Sequence, residues 1–278
     1  MPTRFETIRL AIDAFENAIY PDGLNSRSVW LGLYQTLLWY QAVDHWGYDA
    51  LPHIIDADKF RVPKTRAADD IGDPTPWVVR AAGVHEYLAV TLRCEPSQVA
   101  LMMDRLMRGP EFEGLQRQNS LGIAFAGLVK HVLERFGPEH VSYEAEKPAK
   151  TVFPGLPLVG RSEKPSIDVL ATSNGAPLAV ISTKWSLRHD RLNDLTSEAP
   201  AYKAAFMQLY RQRGRPDLKY YVVTNEFDPA RLTKLIDDPG IDSVVHVHKH
   251  AVTDVCQLDG RLQQLVDFPD FIAGFVAP

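Results

Sequence analysis

A short turn signal in the middle of the chain constrains its fold more than any other feature. The dipeptide Asn174-Gly175 separates two segments of strand-like composition, residues 167–171 and 178–184. Asparagine followed by glycine is the strongest local signal for a β-hairpin, since both residues tolerate the positive φ angles that a tight turn needs. We therefore expect two antiparallel strands here, and the face on which each side chain lies depends on how these strands pair.

The segments around this hairpin predict a mixed α/β fold. Before it, the pattern indicates a helix over residues 120–136, ended by Gly137-Pro138, and then a strand over 141–145. After it, the pattern indicates a helix over 200–213, a strand over 218–224, a helix over 229–236 and a final strand over 241–248. Helices and strands in this order predict an α/β protein with a mixed sheet flanked by helices.

The chain is predicted to have two parts. Its 278 residues suffice for one large or two small domains. Apolar residues recur at near-helical spacing along much of the first hundred residues, and four prolines interrupt residues 51–76. We predict a mainly helical N-terminal region over residues 1–115, packed on a core over residues 116–278 that carries the functional side chains.

Composition and charge limit the classes of protein to consider. Apolar residues make up 45% of the chain and charged residues 23%, which is ordinary for a globular protein. The sequence shows no signal peptide and no apolar stretch of membrane-spanning length, so we expect a cytoplasmic protein without a membrane partner. The net charge of -5 argues against indiscriminate polyanion binding, yet residues 184–219 hold eight Lys or Arg against four Asp or Glu. Basic residues gathered in one segment favour a specific nucleic-acid contact.

Two carboxylates and one lysine form a candidate site for phosphodiester hydrolysis. Asp168 enters the first hairpin strand, Lys184 ends the second, and Glu198 follows fourteen residues later. Mg²⁺ is usually held by one or two carboxylates together with water and substrate phosphate, which fits Asp168 and Glu198. Bound there, the cation would lower the pKa of a water molecule and polarise the phosphate. Lys184 would position that water and neutralise the developing charge.

This site places a condition on the hairpin. Ser182 and Lys184 lie on one face of their strand because side chains alternate. Asp168 shares that face only if it stands opposite Ser182, whereas a regular two-residue turn would place it opposite Ile181. We therefore predict either a three-residue loop with Gly175 left-handed or a β-bulge nearby.

A charged segment just after Lys184 is a candidate reader of base pairs. Arg188, Asp190 and Arg191 follow one another closely. An arginine can donate two hydrogen bonds to the O6 and N7 atoms of guanine, and a carboxylate can accept from the amino group of cytosine. Two arginines and one aspartate thus match half of a CCGG palindrome, although such a charge run taken alone is usually a solvated helix face.

Together these residues resemble the type II restriction endonucleases that recognise a CCGG core, the NgoMIV-, BsaWI- and AgeI-like branch of the PD-(D/E)xK nucleases. In that branch a serine, here Ser182, replaces the acidic residue two positions before the lysine. A glutamate fourteen positions after the lysine, here Glu198, supplies the missing carboxylate. The arginine-x-aspartate-arginine reader begins four positions after the lysine, as Arg188 does. The resemblance implies a PD-(D/E)xK core and an enzyme that depends on Mg²⁺, with Asp168 and Glu198 as metal ligands.

The resemblance also implies a substrate and partners. The expected substrate is double-stranded DNA with a CCGG palindrome, and AgeI-like members imply ACCGGT as the full site. Cleavage 5′ of the first C would leave four-base 5′ overhangs. A palindrome is most simply read by a homodimer, with assembly only on DNA left open, since each subunit then takes one half-site. A cognate DNA methyltransferase is the expected functional partner.

The chain departs from the pattern of this branch in two places. Ile167 precedes Asp168 where the branch has proline, and Ala126 stands where a further catalytic glutamate is expected. The possible substitutes are Glu86, Glu95 and Glu113. Two alternative functions also stay open. One is a structure-specific or repair nuclease of the same superfamily, with the arginines on phosphates, and the other is a DNA-binding protein without catalysis.

Overall fold

The computed structural model describes residues 118–156, 165–184, 189–210, 217–226, 228–247 and 260–275, with positions 89, 95, 97, 98, 187 and 249. The chain divides into two compact units, Met1–Leu128 and Val129–Pro278. The second unit holds nearly all of the described residues. The predicted helical region over 1–115 lies almost entirely outside the described residues.

A six-stranded mixed sheet forms the centre of the second unit. Its strands are β1 (Ser142–Pro148), β2 (Ser166–Ser173), β3 (Ala176–Lys184), β4 (Lys219–Thr224), β5 (Ser243–His246) and β6 (Val266–Asp267). They lie side by side in chain order. Strand β2 is antiparallel to both of its neighbours, β1 and β3, and β3, β4, β5 and β6 run parallel to one another. The predicted mixed sheet is therefore confirmed.

Helices connect and flank these strands. They are α1 (Gln118–Phe136), α2 (Ala149–Val152), α3 (His189–Tyr210), α4 (Pro229–Ile236) and α5 (Phe268–Gly274), with a 3-10 helix at Gly260–Gln264. Helix α4 matches its predicted bounds for a local reason. The Asp228 carboxylate accepts hydrogen bonds from the backbone N–H groups of Ala230 and Arg231, and a proline occupies the first turn. No helix among the described residues combines the length and apolarity needed to span a membrane.

Helix α3 begins eleven residues before its predicted start at Pro200, which lies inside the helix. The sequence favours a start at Pro200 because proline is common in the first turn. Buried apolar residues recur at helical spacing on both sides of the proline: Leu192, Leu195, Ala199, Tyr202 and Phe206. Burial of each large side chain contributes about 1.5–3 kcal/mol, and together they outweigh the roughly 3 kcal/mol that an interior proline costs.

The main core lies between one face of the sheet and the helices α3 and α4. The sheet contributes Leu170, Val180, Tyr220, Val222 and Val244. Helix α4 contributes Leu232 and Leu235. This packing holds α3 against the sheet, so a side chain on its inner surface can reach residues of β3 and β4.

The hairpin turn contains two residues. Asn174 and Gly175 have φ angles of 49° and 70°, and Ser173 pairs with Ala176 across the turn. The left-handed Gly175 that we predicted is confirmed. The three-residue loop is wrong, because asparagine also adopts the left-handed conformation and the turn closes with two residues.

A β-bulge corrects the register instead, as the second alternative predicted. The pairing shifts between Ala171 and Thr172, which leaves Leu178 as an extra residue on β3. Pro177 beside it has no N–H to donate to the ladder, so a regular pairing is already weakened there. Beyond the bulge Val169 pairs with Ile181. Asp168 therefore comes opposite Ser182, not opposite Ile181.

The C-terminal end of the sheet differs from the prediction. Strand β5 is shorter than the predicted 241–248 and is followed by β6 and α5, which sequence periodicity did not reveal. A two-residue strand such as β6 is too short to show alternation. Helix α5 is held by aromatic contacts on the face opposite the main core. The ring of Tyr221 lies 5.1 Å from that of Phe271 and 5.8 Å from that of Phe275.

Candidate active site

The carboxylate of Asp168 is the centre of the site. Its Oδ2 atom accepts hydrogen bonds from Ser182 Oγ at 3.1 Å and from the backbone N–H of Thr183 at 2.8 Å. The same atom forms an ion pair with the ammonium group of Lys184. Among the described residues, none donates to Oδ1. The carboxylate is therefore held through one oxygen, and no described residue donates to the other.

The Asp168 and Lys184 side chains can be reached from solvent. They are 26% and 20% exposed, whereas Ser182 between them is buried. The β-bulge creates this arrangement, because without it Asp168 would lie opposite Ile181. The predicted proximity of the two groups is confirmed, and their catalytic role stays a prediction.

Glu198 lies in the same site, although it comes from helix α3. Burial raises the pKa of its carboxyl to about 7, and the nearby charge of Asp168 also raises it. Lys184 and a hydrogen bond from Tyr220 oppose this rise in the pKa. Asp168, Lys184 and Glu198 therefore act on one another electrostatically, as a single site requires.

Tyr220 orients Glu198 from the neighbouring strand β4. Its hydroxyl donates to Glu198 Oε2 at 3.3 Å, and its side chain is fully buried. Burial raises the pKa of Tyr220 well above its ordinary value, so the hydroxyl stays protonated and remains a donor. The ring of Tyr202 stacks beside it at 6.2 Å. Sequence analysis missed Tyr220, because it joins the site only through the pairing of β4 with β3, which no local pattern specifies.

The donor set fits a hard divalent cation. Asp168 Oδ1 and Glu198 Oε1 are carboxylate oxygens to which no described residue donates. Mg²⁺ is commonly held by one or two carboxylates and several waters. Within the described ranges no group of three or more His, Cys, Asp or Glu gathers. A cation beside Glu198 would also favour its ionised form, against the effect of burial.

Among the described residues, no further glutamate joins Asp168 and Glu198. Of the three substitutes, Glu95 is exposed and its N–H donates to Gln98 Oε1 at 3.1 Å. Glu86 and Glu113 lie outside the described residues. Ala126 is buried within helix α1.

The candidate base reader lies at the start of helix α3. Arg188 is outside the described residues, and so is the side chain of Asp190, whose backbone forms the first turn of α3. Arg191 is 51% exposed, with Nη1 3.7 Å from Asp194 Oδ2. An exposed pair at this distance restrains the arginine little. Arg191 and Glu198 are seven residues apart, so they lie on nearly the same side of the helix and about 10 Å apart along its axis.

The sequence matches no protein-family model, and no curated protein matches it. The function is therefore argued from the geometry of the site and from the motif resemblance.

Proposed function

We propose that this protein is a Mg²⁺-dependent type II restriction endonuclease that cuts double-stranded DNA at a palindrome with a CCGG core. One observation carries the proposal. Asp168 and Lys184 are paired across β2 and β3, and Glu198 from the following helix joins them through its charge. Two carboxylates and an ammonium group in one partly exposed site suit hydrolysis of a phosphodiester.

Two residues would hold the cation. Asp168 would bind it through Oδ1 while Oδ2 keeps its hydrogen bonds to Ser182 and Thr183. Glu198 would bind through Oε1 while Tyr220 orients its other oxygen. When bound, Mg²⁺ stabilises negative charge on the phosphate and makes a water molecule more acidic.

Lys184 would act on the substrate. Its ammonium group forms an ion pair with Asp168, and a bound cation would compete for that carboxylate. Lys184 would then be free to position the attacking water and to neutralise charge that develops on the phosphate. Preorganised groups of this kind contribute most where solvent is partly excluded, as the low exposure of this site provides.

The fold is compatible with this assignment. The antiparallel hairpins formed by β1, β2 and β3 are followed by helix α3 and by strand β4, which is parallel to β3. The result is a mixed sheet flanked by helices. The motif resemblance implies a PD-(D/E)xK core of this general construction. We propose that core for this unit, with its cleavage site between β2, β3 and α3.

Recognition would come from the segment directly after the cleavage site. Arg188 and Arg191 would grip guanines and Asp190 would accept from cytosine, each good contact discriminating by roughly 1–3 kcal/mol. A homodimer would place one such segment on each half of ACCGGT. Cleavage 5′ of the first C would leave four-base overhangs, and a DNA methyltransferase would protect the host sites.

A plasmid assay tests the proposal. Wild-type protein is incubated with a sequenced plasmid with and without Mg²⁺, and the ends of the fragments are sequenced. We expect discrete bands only with Mg²⁺, with ends inside CCGG. A smear or cutting confined to DNA junctions would instead indicate a structure-specific nuclease. Band shifts without cutting would indicate a DNA-binding protein without catalysis.

A further inference from the structure

A second buried carboxylate stands at the end of β4, outside the proposed cleavage site. Glu226 is only 7% exposed. Its Oε2 atom accepts a hydrogen bond from the backbone N–H of Leu187 at 2.6 Å, and its Oε1 atom accepts from the N–H of Asp228 at 2.9 Å. Arg231 Nη1 lies 3.5 Å from Oε2. One side chain thus joins the connection between β3 and α3 to the start of α4.

Glu226 is itself fixed by the ends of two parallel strands. Its backbone N–H donates to Thr224 Oγ1 at 3.1 Å, and its carbonyl oxygen accepts from His246 Nε2 at 2.9 Å. Thr224 and His246 are both fully buried. A carboxylate supported in this way keeps its position, because its own backbone cannot shift without breaking buried hydrogen bonds.

The residue that Glu226 holds lies between the two parts of the proposed site. Leu187 comes three residues after Lys184 and directly before Arg188, and its side chain is fully buried. A buried N–H without an acceptor costs about 1–3 kcal/mol, and a charged acceptor makes the bond stronger. The path of the chain from the cleavage site to the reader is therefore anchored at Leu187.

We propose that Glu226 is a positioning residue for DNA recognition. By fixing the Leu187 backbone, it sets how the start of α3, which carries Asp190 and Arg191, is placed relative to Lys184. This inference rests on the proposed function. Base discrimination depends on such placement, because contacts misplaced by about 1 Å lose much of their effect.

The substitution Glu226→Gln tests this role with little change in size. One of the two terminal oxygens becomes an NH₂ group, which cannot accept from an N–H, so Leu187 or Asp228 loses its acceptor. Cleavage rates are measured on a CCGG duplex and on duplexes with one base pair of CCGG exchanged. We expect the ratio of these rates to fall by about tenfold, the size of one lost base contact. Glu226→Asp, which keeps the charge and shortens the reach, is measured in the same way if Glu226→Gln does not fold.

A matched control comes from Asp242, which directly precedes β5 in the chain and contacts the first residues of β4. It also accepts from a backbone N–H, that of Tyr220 at 2.8 Å, and it forms an ion pair with Lys203 at 2.7 Å. Asp242→Asn disturbs a comparable carboxylate at the opposite end of β4 from Glu226. We expect its ratio of cleavage rates to equal that of the wild type.

Amide hydrogen exchange gives a readout that does not need DNA. The Leu187 amide should exchange faster in Glu226→Ala, which removes both acceptor oxygens and whose cleavage rates are measured in the same way, than in the wild type or in Asp242→Asn. An unchanged exchange rate would overturn the anchoring by Glu226, and faster exchange with an unchanged ratio of cleavage rates would overturn its role in recognition. If the wild type cuts no DNA, the proposed function and the recognition role fail together, while the exchange result still decides whether Glu226 anchors Leu187.

Discussion

Two acidic residues of this protein, Glu198 and Asp242, are partly buried against strand β4, and their pKa values are shifted in opposite directions. Asp242 accepts from Lys203, Lys219 and the N–H of Tyr220. Burial raises the pKa of Asp242, but these hydrogen bonds outweigh it and the pKa is lowered. Glu198 has one hydrogen bond from Tyr220, and burial raises its pKa to about 7. The cluster at Asp242 is complete without a ligand, whereas the raised pKa of Glu198 is typical of a functional site.

The largest effect is expected at the proposed cleavage site. Lys184→Ala should lower the cleavage rate by at least about 10²–10³-fold, because it removes the only ammonium group paired with Asp168 among the described residues. Specific binding to a CCGG duplex, measured by band shift without Mg²⁺, should persist. Cutting at the wild-type rate would remove Lys184 from the mechanism.

An exchange of two side chains tests whether Glu198 supplies the carboxylate that Ser182 lacks. Glu198→Ser alone should be inactive, since one of the two proposed ligands of the cation is lost. Ser182→Glu combined with Glu198→Ser should regain part of the activity, because the carboxylate returns to the same site from β3. Both variants are measured by plasmid cleavage in Mg²⁺. An active single mutant would contradict the role of Glu198.

The arginines of the reader should affect recognition more than chemistry. Arg188→Ala and Arg191→Ala should each weaken binding to CCGG by about 1–3 kcal/mol and leave binding to unrelated DNA nearly unchanged. The affinities are measured at one fixed salt concentration, because phosphate contacts depend strongly on salt. Equal losses on both kinds of DNA would assign the arginines to phosphates.

The smallest effects are expected on the free energy of unfolding. Its dependence on pH should have opposite signs at Asp242 and at Glu198. The lowered pKa of Asp242 stabilises the fold above its unfolded pKa, and this stabilisation is lost as pH falls through the folded value. The raised pKa of Glu198 means that the folded state without metal keeps a proton which the unfolded state releases, so stability falls as pH rises from about 4.5 to about 7.

Urea unfolding as a function of pH measures this difference. Asp242→Asn should lower the free energy of unfolding by about 1–3 kcal/mol at neutral pH and change it little in acid. Glu198→Gln should remove the loss of stability between acid and neutral pH. With Mg²⁺ below saturation, wild-type cleavage should also rise as pH increases through about 7, because in the proposed mechanism only the ionised Glu198 would bind the cation. A cleavage rate independent of pH in this range would argue against Glu198 as a ligand.

Local patterns predicted the elements that depend on neighbouring residues. The cap at Asp228 and the following proline explain why α4 has its predicted bounds. The start of α3 was missed, because its apolar stripe is stable only when packed on the sheet. Strand β6 was missed because two residues carry no periodicity. Glu226 was missed because its partner Leu187 lies 39 residues away in the chain.

The chain by itself specified a tight turn at Asn174-Gly175, the identity of the charged side chains, and the spacings that resemble a CCGG-specific nuclease. These follow from backbone preferences and chemical type, which act over a few residues. Only the folded structure decided that a bulge at Leu178 brings Asp168 opposite Ser182, and that burial beside Tyr220 gives Glu198 its raised pKa. Register and burial arise from contacts between segments distant in sequence, so the same residues could not reveal them until the sheet and α3 were packed together.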